Sequence, residues 1–121
     1  MVLPFIFSKI LKKDDGRINW SRPALEIERS IRALNPWPGT WTIWPSGTKI
    51  FRVRIETAEI TDDEPSEGSY GYVWSSGKHP LLVKTGTGSL VIKSLTIEGK
   101  NELTAEQVAR GYPDLVGASF V

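Results

Sequence analysis

Asn35-Pro36-Trp37-Pro38-Gly39 is the stretch that decides the architecture on both sides of it. Each proline lacks a backbone donor and has its φ fixed, and each pushes the residue before it out of the α region; Gly39 leaves the exit free to turn. The pentapeptide therefore predicts a rigid corner at which a helix must stop. Working back from it, Ala24, Ile27, Ile31 and Leu34 recur at spacings of three and four, with Glu26, Glu28, Arg29 and Arg32 pointing elsewhere. Ser21 is the expected N-cap of this helix, with Pro23 in its first turn. Trp20 and Trp37 flank the helix and are expected to be buried, packing it against the rest of the domain.

Working forward, the period changes to two. Thr40 to Trp44 is aromatic and β-branched, Pro45-Ser46-Gly47 reads as a turn, and in Lys49 to Ile55 the residues Phe51, Val53 and Ile55 share one face while Arg52 and Arg54 share the other. This is a hairpin. Further strands are expected at Tyr70 to Ser75, Leu81 to Thr85 and Leu90 to Ile97, separated by Ser-Ser-Gly and Gly-Thr-Gly turns. The slip in alternation between Leu90/Ile92 and Leu95/Ile97 predicts a bulge. Thr104 with Gln107 three residues on forms a capping box opening a short helix to Arg110, which Gly111 ends. Five or six short strands with glycine-rich turns and one short helix at each end predict a mainly β, α+β domain closed as a small barrel.

The chain has 121 residues, 40% hydrophobic and 24% charged, enough for one core. Residues 1–20 read as a linker remnant and leading segment, and 21–121 as the domain. Met1 to Phe7 is apolar but lacks the basic start and small-residue cleavage site of a secretory signal, and is read as a stub of linker or strand from a longer chain. No apolar run reaches the roughly 20 residues of a membrane helix, so no membrane contact is expected. The absence of cysteine excludes disulfides and thiolate metal sites and suits the cytoplasm.

The net charge of +1 hides a segregation. Glu56, Glu59, Asp62, Asp63, Glu64 and Glu67 have no lysine or arginine among them; the eight remaining acidic residues face 15 basic ones elsewhere. A basic face is compatible with that distribution, and so is an ordinary surface beside a solvated acidic loop. The basic residues gather as Lys9, Lys12, Lys13 and Arg17; as Lys49, Arg52 and Arg54; and as Lys84, Lys93 and Lys100.

Catalytic chemistry finds no foothold. His79, the only histidine, sits in a His-Pro pair and reads as a turn residue. Asp62-Asp63-Glu64 would attract a divalent cation but, as consecutive loop residues, lack fixed ligand geometry. The glycine turns join strands rather than opening helices, so they read as hairpins and not phosphate cradles. Five tryptophans raise a second possibility, stacking on unpaired bases; for Trp41, Trp44 and Trp74 alternation does not say which face is inside.

Asp15-Gly16-Arg17-Ile18-Asn19-Trp20, a short helix, and Arg32-Ala33-Leu34-Asn35-Pro36-Trp37-Pro38 occur in the order of a hallmark of the methionyl-tRNA formyltransferases, whose C-terminal domain the chain resembles from about Ile10 to Gly111. Lys49-Ile50-Phe51-Arg52, Gly86-Thr87-Gly88-Ser89-Leu90 and Gly99-Lys100 with Leu103-Thr104-Ala105 are similar to further family segments. Asn19 stands where Asp is usual, and Asn101 replaces the second lysine of Gly-Lys-Lys. The resemblance implies an OB-like barrel that helps hold initiator methionyl-tRNA. It also implies a Rossmann-like N-terminal catalytic domain in the same parent chain, binding 10-formyltetrahydrofolate and carrying the catalytic Asn, His and Asp. That domain is not in this sequence, so the fragment itself is expected to be a non-catalytic, cytoplasmic monomer with no cofactor of its own. Family roles carried across assign RNA contact to Lys9, Lys12, Lys13, Arg17, Arg52 and Lys100, and a structural motif to Trp20, Asn35, Pro36, Trp37, Pro38 and Gly39. The alternatives are the C-terminal barrel of a formyltransferase acting on nucleotide sugars or another formyl-folate substrate, and a free-standing single-strand-binding OB module.

Overall fold

Alternation along Thr40–Ser46 turns Thr40, Thr42 and Trp44 inward, and this strand is the first of six in a computed structural model that describes residues 16–121. The elements are helix α1 (Ala24–Ala33), strands β1 (Thr40–Ser46), β2 (Lys49–Thr61), β3 (Val73–Trp74), β4 (Leu82–Lys84), β5 (Ser89–Ile97) and β6 (Glu102–Thr104), helix α2 (Ala105–Gly111) and a 3-10 turn at Pro113–Leu115. All strand pairs are antiparallel, in the order β1-β2-β5-β4-β3, with β6 also on β5.

The mainly β, α+β reading holds, but the expected closed barrel does not appear in the ladder, whose path runs from β1 to β3 without returning. Its two ends are nevertheless not bare. The Val73 amide donates to Ala118 (2.9 Å), the Gly117 amide to Val73 (2.7 Å) and the Phe120 amide to Gly71 (2.9 Å), while Ile43 and Val121 exchange both bonds at 3.0 and 2.9 Å. Residues 117–121 thus satisfy backbone groups on both edge strands, which left open would template pairing with other chains.

Several boundaries differ from expectation. The hairpin loop is Gly47-Thr48, with Ser46 opposite Lys49 and Gly47 at φ +62°. Pro45 is a strand residue, tolerated because β1 is at the edge of the ladder. Strand β2 runs on to Thr61, so Glu56 and Glu59 belong to it and the acidic loop starts at Asp62. Strand β3 is only two residues long. Helix α1 begins at Ala24 with Pro23, not Ser21, as its cap; the Ser21 amide and hydroxyl both donate to Asn19 Oδ1, at 3.0 and 2.6 Å.

The predicted slip is present. Ile55 faces Leu95, Thr57 faces Ser94, and Ala58 faces Ile92, so Glu56 on β2 and Lys93 on β5 each lack a partner in register. Lys93 is thereby turned to solvent inside a strand whose other residues are mostly buried. The capping box closes as expected, the Gln107 amide donating to Thr104 Oγ1 (3.2 Å) and the Thr104 amide to Gln107 Oε1 (2.9 Å).

The core gathers Ile27 and Ile31 of α1, Trp44, Val53, Ile55, Leu90, Ile92, Leu95 and Ile97 of the sheet, and Val108, Leu115 and Phe120 of the C-terminal region. Trp20 is 4% exposed, stacks on Phe120 with centroids 5.8 Å apart, and donates from Nε1 to Thr42 Oγ1 at 2.9 Å. Thr42 in turn donates to the Val121 carbonyl at 3.1 Å. One side chain therefore ties the chain before α1 to both β1 and the C-terminal segment. The start of α1 is also sewn to the β4–β5 turn: the Gly86 amide donates to Arg22 (2.9 Å) and the Ala24 amide to Thr87 (3.1 Å). A Cβ on Gly86 would run into the Ser21 carbonyl, which is why the turn needs glycine there.

Candidate nucleic-acid interface

The inward set of β1 leaves Trp41 and Ile43 on the outer face, and the hairpin register brings Arg54 opposite Trp41 and Arg52 opposite Ile43. Arg52 is then the diagonal neighbour of Trp41, a position from which long side chains reach across strands. Its guanidinium carbon lies 3.9 Å from the Trp41 ring centroid. Before α1 the chain returns to this strand: the Ile18 amide donates to the Trp41 carbonyl (2.9 Å), Arg17 bridges to Trp41, and its guanidinium carbon stands 5.5 Å from the same ring. Trp41, only 8% exposed, thus carries two guanidinium groups over its ring on the outer face.

Beside it stands the corner. The Gly39 amide donates to Leu34 (2.7 Å), and Arg54 Nη2 donates to the Pro36 carbonyl (2.7 Å), so the pentapeptide is fixed both to the helix end and to β2. The Asn35–Pro36 and Trp37–Pro38 bonds are cis. Gly39 has φ +81°, and a Cβ there would press on the Arg54 guanidinium, so glycine is what lets Arg54 cross beneath the corner. The expectation that Trp37 is buried fails: 57% of its surface is exposed. Trp20, Phe120 and the α1 stripe already fill the core, and the pinned backbone carries the indole outward. Trp37, Pro38, Gly39, Thr40, Trp41, Arg52 and Arg54 line a cleft of about 260 Å³.

The arginines are not equivalent. Arg54 is committed, its Nε on Glu56 Oε1 at 3.1 Å and its Nη2 on Pro36. Arg17 and Arg52 are in no ion pair among the described residues. Lys100 lies in the turn after β5, where the Glu98 amide donates to the Arg52 carbonyl (2.9 Å), and so belongs to the same end of the sheet. Lys9, Lys12 and Lys13 lie outside the described residues. Lys84 is held by Glu64 at 3.2 Å and Lys93 lines a different pocket, with Lys78, His79 and Glu106, so these two do not join the arginines as a phosphate-facing set.

Sequence reading named Arg17, Arg52 and the corner but left the face of Trp41 open. The signal was present in the hairpin: with Ser46 paired to Lys49, alternation puts Trp41 on the face of Arg52 and Arg54. His79 is a turn residue, its amide donating to Ser76 Oγ at 3.1 Å. No group of three or more His, Asp or Glu side chains among the described residues is placed to hold a metal ion, and no helix among them is long and apolar enough to cross a membrane.

The family described as the formyl transferase C-terminal domain matches residues 10–113. A methionyl-tRNA formyltransferase of Akkermansia muciniphila is 38% identical over 111 residues, covering 91% of this chain and 35% of that protein. The enzymes of the same name from Geotalea daltonii and Treponema denticola are 36% and 34% identical, over 94% and 95% of this chain and 34% and 36% of their own lengths. The chain spans about a third of the length of these relatives.

Proposed function

The chain belongs to the formyl transferase C-terminal domain family, and on that premise we propose that it is the tRNA-binding domain of a methionyl-tRNA formyltransferase. It orients initiator methionyl-tRNA for formyl transfer performed by an N-terminal catalytic domain of the parent chain, in the cytoplasm. The observation that carries this reading is the convergence of Arg17 and Arg52, in no ion pair among the described residues, on Trp41 beside an exposed Trp37. Guanidinium groups stacked on an indole keep their N–H edges free and lose little freedom on meeting a phosphate. Lys100 extends the charge, and Lys9, Lys12 and Lys13, which precede Arg17 in the sequence, are proposed as further RNA contacts. Affinity then comes from phosphate contacts and orientation from the shape of the surface. On this reading the sheet is an OB-like barrel whose ring is completed by residues 117–121.

The family implies a formyl donor, 10-formyltetrahydrofolate. Among the described residues an open cleft of about 500 Å³ is lined mainly by Arg17, Ile18, Trp20, Tyr70 and Phe120, and its Ser21 hydroxyl donates to Asn19 Oδ1. We assign the donor to the catalytic domain.

The test is a titration of initiator tRNA at several salt concentrations. The chain should bind at about 10⁻⁴ to 10⁻⁶ M near physiological salt, and Arg17→Ala/Arg52→Ala/Lys100→Ala should lower the log–log salt slope by about 2 to 2.7, at roughly 0.7 to 0.9 for each phosphate contact. A triple variant with the parent's affinity and slope would remove this face from tRNA binding and favour the sugar-enzyme alternative.

A further inference from the structure

We propose that the cleft between Trp37 and Arg52 takes one unpaired nucleotide of the bound RNA, its base stacked on the Trp37 indole and its phosphate on the N–H edge of Arg52. This deepens the tRNA-binding reading and rests on it.

Three features of the corner point to that ligand chemistry. Trp37 is exposed, yet it is not carried on a loose loop: the flanking Pro36 carbonyl is held by Arg54 and the Gly39 amide by Leu34, both at 2.7 Å. An indole presented on a pinned backbone is a stacking platform that costs little ordering on binding. The cleft next to it, about 260 Å³, has walls of Trp37, Pro38 and Trp41, so it accepts something flat and apolar-faced. Its charge comes from Arg52, since Arg54 is neutralised by Glu56 and already bonded to Pro36. A planar apolar recess with one unneutralised, stacked guanidinium at its rim matches a base joined to a phosphodiester. The faces of bases inside a duplex are covered by their neighbours, so along an RNA strand it is an unpaired nucleotide that can use the indole. A protein surface seated on the same corner would have to bring carboxylates for Arg17 and Arg52.

The experiment compares a dye-labelled single-stranded RNA hexamer with a dye-labelled, long blunt-ended RNA duplex, each titrated with the 121-residue chain while the anisotropy of the dye is followed, tryptophan quenching being recorded for the parent chain. Trp20 and Trp44 are buried in the core and Trp74 is half-buried, so quenching of the parent by bound RNA reports on the two indoles of the cleft, Trp37 and Trp41. The hexamer should bind and quench. Trp37→Ala should weaken hexamer binding about 5- to 150-fold, the range for loss of a stacked base, and change duplex binding by less than about twofold, within a few tenths of a kcal/mol. Trp37→Phe, which keeps an aromatic face and covers the case in which Trp37→Ala fails to fold, should recover most of the loss. Arg52→Ala should lower the hexamer salt slope by roughly 0.7. Hexamer binding that is unchanged in both Trp37 variants overturns the proposal, as does a hexamer that fails to bind while duplex and tRNA bind; the tRNA-binding reading survives both. If neither RNA nor tRNA binds, that reading falls as well. Fluorescence that responds to the N-terminal region of the Akkermansia muciniphila relative and not to RNA assigns the corner to a contact between domains, and overturns the proposal in that way.

Discussion

Trp20 and Trp37 flank the same helix and carry the same side chain, yet truncating them should have different consequences. Trp20 keeps 4% of its surface exposed, stacks on Phe120, and donates to Thr42 Oγ1 at 2.9 Å. Trp20→Ala therefore empties a fully packed site and removes a buried hydrogen bond, at a cost of about 3–5 kcal/mol. Trp37 leaves 57% of its surface in water. Of the roughly 250 Å² that an indole can bury, about 110 Å² is removed from water here; at about 25 cal/mol per Å², reduced by about a third for a compact unfolded chain, the ceiling is just under 2 kcal/mol. Urea unfolding followed by far-UV circular dichroism is the appropriate assay, because both substitutions remove a fluorophore. For a domain of this size about 3–5 °C of Tm accompanies each kcal/mol, so Trp20→Ala should melt some 10–20 °C lower and Trp37→Ala less than about 9 °C lower. Equal losses from the two substitutions would refute the burial argument, and a loss of less than about 1 kcal/mol for Trp20→Ala would show that the chain before α1 is not anchored as described.

The same geometry sets three further outcomes. Gly39→Ala must hold alanine at φ +81° and displace the Arg54 guanidinium from beneath the corner, so denaturant titration should show a loss of about 1–3 kcal/mol. Thr104→Ala removes the hydroxyl of the capping box and should cost about 0.5–2 kcal/mol by the same measurement, with no effect on RNA affinity in a filter-binding assay. Glu64→Gln with Glu67→Gln breaks only the partly exposed pair with Lys84; stability should fall by less than about 1 kcal/mol, and tRNA affinity should stay level or rise slightly as negative charge is removed from the molecule.

Much of the local structure was legible in the residues because steric rules and hydrogen-bonding capacity act over a few positions. Pro36 and Pro38 stop the helix, the spacing of Ala24, Ile27 and Ile31 names its buried stripe, Thr104 and Gln107 cap α2, and the broken alternation around Lys93 marks the bulge. Reading Pro45 as a turn residue failed because proline is barred from the middle of a sheet but not from an edge, and edge status belongs to the whole ladder. The acidic composition after Ile55 likewise suggested an early loop, whereas the pairing of β2 with β5 carries Glu56 and Glu59 along the strand to Thr61.

The chain by itself determined that Trp37 stands at a corner, that the sheet is antiparallel hairpin work, and that Arg52 and Arg54 share a face. Only the tertiary structure decided what each of these meets. Trp20 is covered because Phe120, from the far end of the chain, arrives on top of it, and Trp41 is shielded because Arg17 comes back to β1 and Arg52 reaches across from β2. Trp37 stays in water because that core volume is already filled. Burial is a property of what arrives from elsewhere in the chain, so no local pattern could separate three tryptophans that the sequence presents as alike.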